Sequence, residues 1–328
     1  MPTTPKILVQ TIPSVTGVTS ITVTESYNSA MSQAVIECFD TSLSLGDSIG
    51  FNIGFSGDSG KIFQGFVRNI DVELTAAQNR ITCEDELAKA TDFFMASDDP
   101  ESPFTRSNID TADLIEALLN EAQITSFVDD TSLSVTWGTT GTLEFNLITA
   151  WQASKSIIDA LAWHLFANRN GVVHLTEDKP YKVGNPPIDF TWNLTTDNIL
   201  QINYSRSTHN LRNKVVVYGR EGVTASASAS SPFLPAGFFK TSVLASQLFD
   251  TNSLAQTVAD INLTLLNRLT ESLTMVVEGD FQIEPRKWVT LTVVDSDISM
   301  DVTGDWFIFQ VEHRIDQAGY VCNVTLTR

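Results

Sequence analysis

The tetrapeptide Gly57-Asp58-Ser59-Gly60 spells the surroundings of a triad serine nucleophile. A triad also needs a histidine base and a carboxylate that orients it, and chains that use this tetrapeptide place both before the serine. The first histidine here is His164, far downstream. Between Phe51–Phe55 and Lys61–Phe66 the segment fits a hairpin turn instead. The other histidines are His174, His209 and His313. His164 and His174 fall on opposite arms of an expected hairpin and could approach each other. No Cys, Asp or Glu cluster nearby supplies the third and fourth ligands of a zinc site. Glu84-Asp85-Glu86 and Asp98-Asp99-Pro100-Glu101 are carboxylate runs at expected domain edges. A glycosidase pair needs two acids in distinct environments, which separates their pKa values, and runs like these are solvated faces. Phosphate-binding glycine loops of the Walker or Rossmann type do not occur. Trp137, Trp151, Trp163, Trp192, Trp288 and Trp306 are scattered at strand or helix positions and are expected in cores. The residues therefore assign no catalytic, cofactor-binding or metal site, and the chain is expected not to be an enzyme.

Composition narrows the function classes further. The 328 residues carry 39 acids and 20 bases, a net charge of −19. Nucleic-acid affinity rests on Lys and Arg neutralising phosphates, so binding through a broad basic surface is not expected. With 42% hydrophobic and 18% charged residues and a mean hydropathy of +0.02, the chain has the apolar content for sizeable cores. No apolar run approaches the roughly 20 residues of a membrane helix, and residues 1–20 lack the pattern of a secretory signal. Cys38, Cys83 and Cys322 are odd in number and far apart, which implies no disulfide framework and fits synthesis in a reducing cytoplasm. Net charge is uneven, −9 over residues 1–110, −7 over 111–203 and −3 over 204–328, which favours distinct domains.

Residues 20–85 alternate in strand fashion at Ile21–Glu25, Phe51–Ile53 and Val67–Leu74, with turn clusters at 56–60 and 76–79. The middle changes period. Asp110-Thr111-Ala112-Asp113 resembles a capping box, followed by a stripe of Leu114, Ile115, Leu118, Leu119 and Ala122. A second helix is expected over 149–162, with Trp151, Ile158, Leu161 and Ala162 inward. Trp163–Phe166 and Val172–Leu175 then form a hairpin across Asn170-Gly171. Lys214–Gly219 is expected as a buried strand, and the Ala/Ser repeat Thr224–Ser231 as a mobile surface loop. A third helix starts near Asp250, with Leu254, Val258, Ile261, Leu265 and Leu269 at helical spacing, and strands run on to Arg328.

A faint repeat runs through this pattern. Gly46–Phe51, Phe63–Asp71 and Arg80–Glu84 recur in order as Arg286–Leu291, Phe309–Asp316 and Tyr320–Val324. Each set has an Ile-Asp turn and a Cys-bearing strand, which suggests two related β domains.

In order along the chain, several segments are similar to the baseplate hub proteins of bacteriophage tails, the late control protein D family, and to the hub half of type VI secretion spike proteins. Gly46-Asp47-Ser48-Ile49 opens a strand, and Phe63-Gln64-Gly65-Phe66-Val67 resembles the family's F-x-G-x-V strand. Cys83-Glu84-Asp85 leads into a linker. Thr111–Leu119 resembles the first helix of the middle domain, and Ala150–Ala162 with the Asn170-Gly171 hairpin resembles the second. Asn213–Gly219 resembles the strand that opens the last domain. Gly279–Pro285 resembles its G-D-P-x-I-x-P-G turn, departing with Phe281 in place of proline and Arg286 in place of glycine. The likeness runs from about residue 20 to 328.

The resemblance implies a mixed β and α+β fold, two related antiparallel β-barrel domains flanking a small α/β domain. The expected boundaries are 1–88, 89–203 and 204–328, the last with a loop and helix insertion around 221–270. It implies a structural hub: a homotrimeric ring that adapts a sixfold tail tube to a threefold spike and lines part of the DNA channel. No cofactor and no catalysis are implied, and the hub pattern leaves no room for an appended hydrolase domain. Expected partners are the tail tube or distal tail protein, the spike, baseplate wedge proteins and the tape measure protein, with DNA passing through without specific binding. The expected location is the virion tail baseplate, assembled in the host cytoplasm. The hub of a phage-derived contractile injection particle is an open alternative. A cell-wall hydrolase on a β scaffold and a carbohydrate-binding module are alternatives of other classes.

Overall fold

Side chains of a strand alternate between its two faces, so a half-buried sheet reads as alternating apolar and polar residues. This pattern dominates the described residues, 47% of which are strand and 16% helix. The computed structural model describes residues 7–39, 42–55, 58–73, 78–96, 98–99, 101–181, 185–194, 199–293 and 302–328. The first strands are β1 (Ile7–Ile12), β2 (Val18–Ser26), β3 (Gln33–Cys38), β4 (Ser48–Phe55), β5 (Asp58–Glu73) and β6 (Gln78–Glu84). The middle holds α1 (Ala88–Asp92), β7 (Phe104–Arg106), β8 (Ile109–Asp110), α2 (Thr111–Glu121), β9 (Phe127–Asp129), β10 (Thr136–Trp137), β11 (Leu143–Phe145), α3 (Ala150–Leu161), β12 (His164–Ala167) and β13 (Val173–Thr176). The last part holds β14 (Phe190–Leu194), β15 (Ile199–Ser207), β16 (Lys214–Tyr218), β17 (Thr224–Ser228), β18 (Thr241–Ala245), α4 (Asn252–Leu266), β19 (Thr270–Glu278), β20 (Trp288–Val293), β21 (Gly304–Asp316) and β22 (Gly319–Thr327).

Twelve strands form one sheet with two halves of the same order. The first half runs β1-β4-β5-β6-β3-β2, and the second runs β14-β20-β21-β22-β19-β15. Antiparallel pairing of β2 with β21, from Ile21 opposite Ile315 to Ser26 opposite Gln310, joins them. The strand order is open, and no barrel closes among the described residues.

The halves match in detail. A bulge separates Val67 from Asn69 on β5, and another separates Ile308 from Gln310 on β21. Bulges also fall between Val18 and Ser20 on β2 and between Ile199 and Gln201 on β15. Gly46 N–H donates to Val67 O at 2.9 Å and Val67 N–H to Asp47 O at 2.9 Å; Arg286 to Ile308 and Ile308 to Lys287 repeat both bonds at 2.8 Å. Gly46 and Arg286 share a left-handed backbone, with φ 87° and 74°. Arg286 thus stands in a conformation glycine favours. Bulges are retained features rather than defects, so four coincident irregularities mark a duplicated unit. The ladders also correct the alignment expected from sequence. Gly46–Phe51 does correspond to Arg286–Leu291, but Ile70 corresponds to Val311 and Cys83 to Leu326, so the shared Ile-Asp and Cys marks do not coincide. The outer strands differ: β1 lies antiparallel on β4, whereas β14 lies parallel on β20.

One apolar core spans both halves, with Ile21, Ile36 and Ile81 beside Met275, Val311 and Val324. A second core gathers Leu114, Leu118, Ile158, Leu161 and Leu175 from the middle with Val215, Val217, Leu254 and Val258. Helix α2 begins where Asp110 Oδ1 accepts from Ala112 N–H at 3.0 Å, and it buries Leu114, Ile115, Leu118 and Leu119. Thr149 and Gln152 form a complete capping box on α3, which ends at Ala162 in left-handed backbone (φ 52°). The expected hairpin forms from β12 and β13, with Gly171 at φ 81°, and β9 adds to β13 in parallel.

The region after 213 departs from expectation. The Ala/Ser segment is not a loop: Thr224–Ser228 is a strand paired along β16. Ala225 and Ala227 pack against the second core, beside α4. Strand β16 is half-buried rather than buried, since only Val215 and Val217 of Lys214–Tyr218 turn inward. On α4 the buried side is Leu254, Ala255, Val258, Ala259 and Asn262; Ile261 and Leu265 are half-buried and Leu269 lies past the helix. Parts of the turn clusters at 56–60 and 76–79, with Gly57, Leu74 and Pro100, lie outside the described residues.

Candidate functional site

The residues with catalytic spelling do not converge. Asp58, Ser59 and Gly60 open β5 as ladder partners of Phe55, Gly54 and Ile53. Gly60 underlies a ring, since a Cβ there would lie 2.3 Å from Phe281. His164 lies against Tyr27 with centroids 3.5 Å apart and ring planes tilted by 39°, and burial with the nearby Lys179 charge pushes its pKa down to about 3. His174 turns to Asp130, with Nδ1 2.7 Å from Oδ2. The two hairpin histidines thus have separate partners, and His209 is exposed. Among the described residues no group of three His, Cys, Asp or Glu side chains is placed to hold a metal. The run 84–86 diverges: Glu84 meets Arg68 at 3.0 Å, Asp85 is buried, and Glu86 pairs with Lys89. Asp85 accepts from Ser32 N–H at 2.6 Å and Leu87 N–H at 3.0 Å, yet burial raises its pKa to about 7. Asp99 closes a local turn with Glu101. Trp137, Trp163, Trp288 and Trp306 are buried, and Trp151 and Trp192 half-buried. A cavity of about 530 Å³ between the halves is lined by Phe55, Trp192, Phe281 and Tyr320 with Asp58, Thr191, Glu278 and Asp280.

What the fold does present is a broad polar sheet face. Ile21, Val23, Ile36, Ile81, Met275, Val311, Val324 and their neighbours turn to the core, so alternation turns Thr22, Glu37, Arg80, Glu84, Asp71, Glu312, Arg314, Asn323 and Thr274 the other way. Carboxylates outnumber guanidiniums on it: Glu37, Asp71, Glu84, Glu312 and Asp316 against Arg68, Arg80 and Arg314. Cross-strand bonds order the side chains, with Ser20 Oγ donating to Glu37 at 2.9 Å and Asn323 Nδ2 to Glu312 at 2.7 Å.

A buried polar clamp fixes the middle hairpin to the seam of this sheet. Asn168 Oδ1 accepts from Asn170 N–H at 2.9 Å and Val172 N–H at 3.1 Å, which shapes the turn that carries Arg169. Arg169 Nε donates to Glu25 Oε1 at 3.1 Å and Oε2 at 3.2 Å, and Nη2 also bonds Glu25. The same guanidinium donates to Ile283 O at 2.7 Å and to Phe281 O. Its side chain is 11% exposed and that of Glu25 5%. His313 lies beneath, its Nε2 3.0 Å from Ile283 O and its Nδ1 2.8 Å from the Tyr320 hydroxyl. Burial and the Arg169 charge push the His313 pKa down to about 3, so the ring is neutral. A Cβ at Gly279 would lie 2.2 Å from the Tyr320 ring, so the turn takes glycine. One guanidinium therefore ties β2, the middle hairpin and the 279–286 turn together. Sequence reasoning missed this cluster because Arg169 and Glu25 are 144 positions apart. Its one local sign is a glutamate on the inward parity of Ile21 and Val23.

No family profile matches the chain, and no curated protein matches it in sequence. Solved structures do match in fold. A tail protein from Neisseria meningitidis MC58 superposes with TM-score 0.71 at 12% identity, over 98% of this chain and 96% of that one. The 43 kDa tail protein of prophage MuSo2 from Shewanella oneidensis gives TM-score 0.70 at 14% identity, over 99% and 98%. An E. coli component of the type VI secretion system, itself structurally similar to the T4 bacteriophage tail proteins gp27 and gp5, gives 0.61 at 12% identity over 98% and 76%. The likeness to phage tail and type VI spike proteins that the segment order carries is thus present in the fold as well, in a mostly β chain with a large antiparallel sheet.

Proposed function

We propose that the chain is a structural baseplate hub of a phage tail, working as a trimeric ring that adapts the sixfold tail tube to the threefold spike. The observation that carries this reading is the duplicated half-sheet, with its matching strand order, bulges and left-handed turns. Three copies supply six similar units, so a closed cyclic trimer can present near-sixfold symmetry on one side and true threefold symmetry on the other. In this reading the halves belong to two related tube-like β-barrel domains expected at 1–88 and 204–328 about an α/β domain at 89–203, with β14 and the start of β15 joining the second half from before residue 204. The polar sheet face becomes the wall of a DNA channel. Three chains carry three times −19 charges, and carboxylates along the wall repel passing phosphates instead of holding them.

The hub contributes shape and no catalytic step or cofactor. Its neighbours are a tail tube or distal tail protein above and a spike below, with wedge and tape measure proteins around and within. It resides in the virion tail baseplate after assembly in the host cytoplasm. The likeness to a type VI secretion component supports a second reading, the hub of a phage-derived contractile injection particle, with the same mechanics and a different cargo. Mass measurement in solution across a concentration series, with and without spike protein, tests the hub. A trimer is expected, and a monomer that persists at high concentration with spike present overturns it. Turnover of cell-wall material that is lost on mutating one carboxylate would overturn the non-enzymatic role.

A further inference from the structure

The three-stranded sheet β17-β16-β18 has one face on the second core and one face bare. Val215 and Val217 of β16 turn to the core, and Ala225, Ala227 and Leu244 pack against it from the flanking strands. Alternation therefore turns Lys214, Val216 and Tyr218 outward. In the parallel register of β18, Val243 stands beside Val216 on that outer face. Val243 is 61% exposed and Tyr218 48%.

The loop between β17 and β18 adds aromatic rings to this face. Phe238 and Phe239 are both more than half exposed. The Lys214 ammonium lies 5.7 Å from the Phe239 ring centroid, which sets that ring over the outer face of the sheet. Hydrogen bonds pin the loop in place. Asn213 Nδ2 donates to Phe238 O at 2.9 Å, Lys240 N–H donates to Asn213 Oδ1 at 2.7 Å, and Asn267 Nδ2 donates to Ser230 O at 3.1 Å. Single exposed apolar residues are ordinary, but a contiguous group held in one geometry is a pre-organised interaction surface.

Charge separates this face from the rest of the chain. Residues 204–245 carry five bases and one acid, in a chain of net charge −19. Arg206 and Arg220 are paired with Glu271 and Asp250. Arg212, Lys214 and Lys240 meet no carboxylate among the described residues. Arg212 Nη1 and Lys240 Nζ donate instead to His209 O, at 2.9 and 2.7 Å.

We propose that this face docks an acidic segment of another protein, with its carboxylates on Lys214 and Lys240 and its apolar side chains on Tyr218, Phe239 and Val243. Charge complementarity selects the occupant. A second copy applied face to face would set Lys214 against Lys214, because a twofold interface uses the same patch on both sides. Single-stranded nucleic acid stacks its bases on aromatic rings, whereas the middle of this face is aliphatic, with Val216 beside Val243. Phe239 lies along the sheet rather than at a projecting tip, which suits a protein over a lipid surface. The docking holds for a monomer and a trimer alike.

Fluorescence anisotropy of a labelled peptide of repeated Asp-Phe-Glu-Leu units, titrated with the full chain at low salt, tests the docking. The chain as a whole repels an acidic peptide, so binding reports the basic face. Saturable binding is expected, weakened by salt. Lys214→Glu is expected to weaken it about tenfold or more, since like charges across an interface are costly. Lys214→Arg should keep it, and Val243→Ser, or a peptide with Ser in place of Phe and Leu, should reduce it. Both positions face solvent, so the variants should keep the wild-type urea midpoint. Absent binding, or binding that Lys214→Glu leaves unchanged, overturns the docking. Tighter binding of a single-stranded oligonucleotide, or sedimentation with phosphatidylglycerol vesicles that Lys214→Glu abolishes, overturns it in favour of nucleic acid or lipid. Self-association that Val243→Ser abolishes assigns the face to a second copy and equally overturns it.

Discussion

Arg169→Ala is expected to destabilise the chain by about 3–5 kcal/mol, the cost of leaving one member of a buried ion pair alone. The structure supports the upper part of that range. The Glu25 side chain is 5% exposed and loses donors at 3.1 and 3.2 Å, while the Ile283 and Phe281 carbonyls lose theirs. Arg169→Lys keeps the charge but not the fork, and one ammonium cannot span a carboxylate and two carbonyls, so a loss of about 1–3 kcal/mol is expected. Arg169→Met with Glu25→Leu removes both charges and is expected to be more stable than Arg169→Ala, because no buried anion remains. Urea unfolding followed by tryptophan fluorescence measures all of these, with Trp163 in the middle core and Trp306 in the sheet core as reporters. An Arg169→Ala chain within about 1 kcal/mol of wild type, or a double variant that loses the sum of the singles, would refute the clamp.

Leu118→Ala and Leu161→Ala should each cost about 2–5 kcal/mol, since both side chains are 0% exposed in one shared core; tolerance at both, read by urea midpoint, contradicts the packing. Asp85 has a folded pKa raised from 3.8 to about 7, so the folded chain keeps a proton that the unfolded chain has released, and stability falls as pH rises through that window. Asp85→Asn is expected to flatten this slope, and an unchanged slope between those values counts against the burial argument. At Arg286, whose guanidinium lies 3.5 Å from the Phe166 ring centroid, Ala keeps the left-handed backbone and loses the stack, whereas Gly relieves about 1 kcal/mol of backbone penalty. Arg286→Gly should therefore unfold at higher urea than Arg286→Ala, and the reverse order contradicts the reading.

The helices were legible because their signals are local. Asp110 and Thr149 cap as their residue types suggest, and Leu118 and Leu161 fall on the stripes they spell. The Asn170-Gly171 hairpin was legible for the same reason. The Ala/Ser segment was not, because its composition suits a linker, and only its pairing with β16 and the nearness of α4 make it a strand. The duplication was visible at Gly46 and Arg286, where the turn fixes the register, and slipped further on, because Ile70-Asp71 and Ile315-Asp316 look alike although the ladders match Ile70 with Val311. The seam of β2 on β21 and the Arg169 clamp join residues far apart in sequence, and neither leaves a periodic trace.

Electron microscopy of the assembled particle tests the hub most directly, because symmetry and channel are read from one image set. The account predicts a ring of three copies whose sheet layer averages with near-sixfold symmetry, whose remainder averages only with threefold symmetry, and whose inner wall carries Glu37, Asp71, Glu84 and Glu312. Particles without a ring, or a ring of another order with that sheet face turned outward, would contradict it.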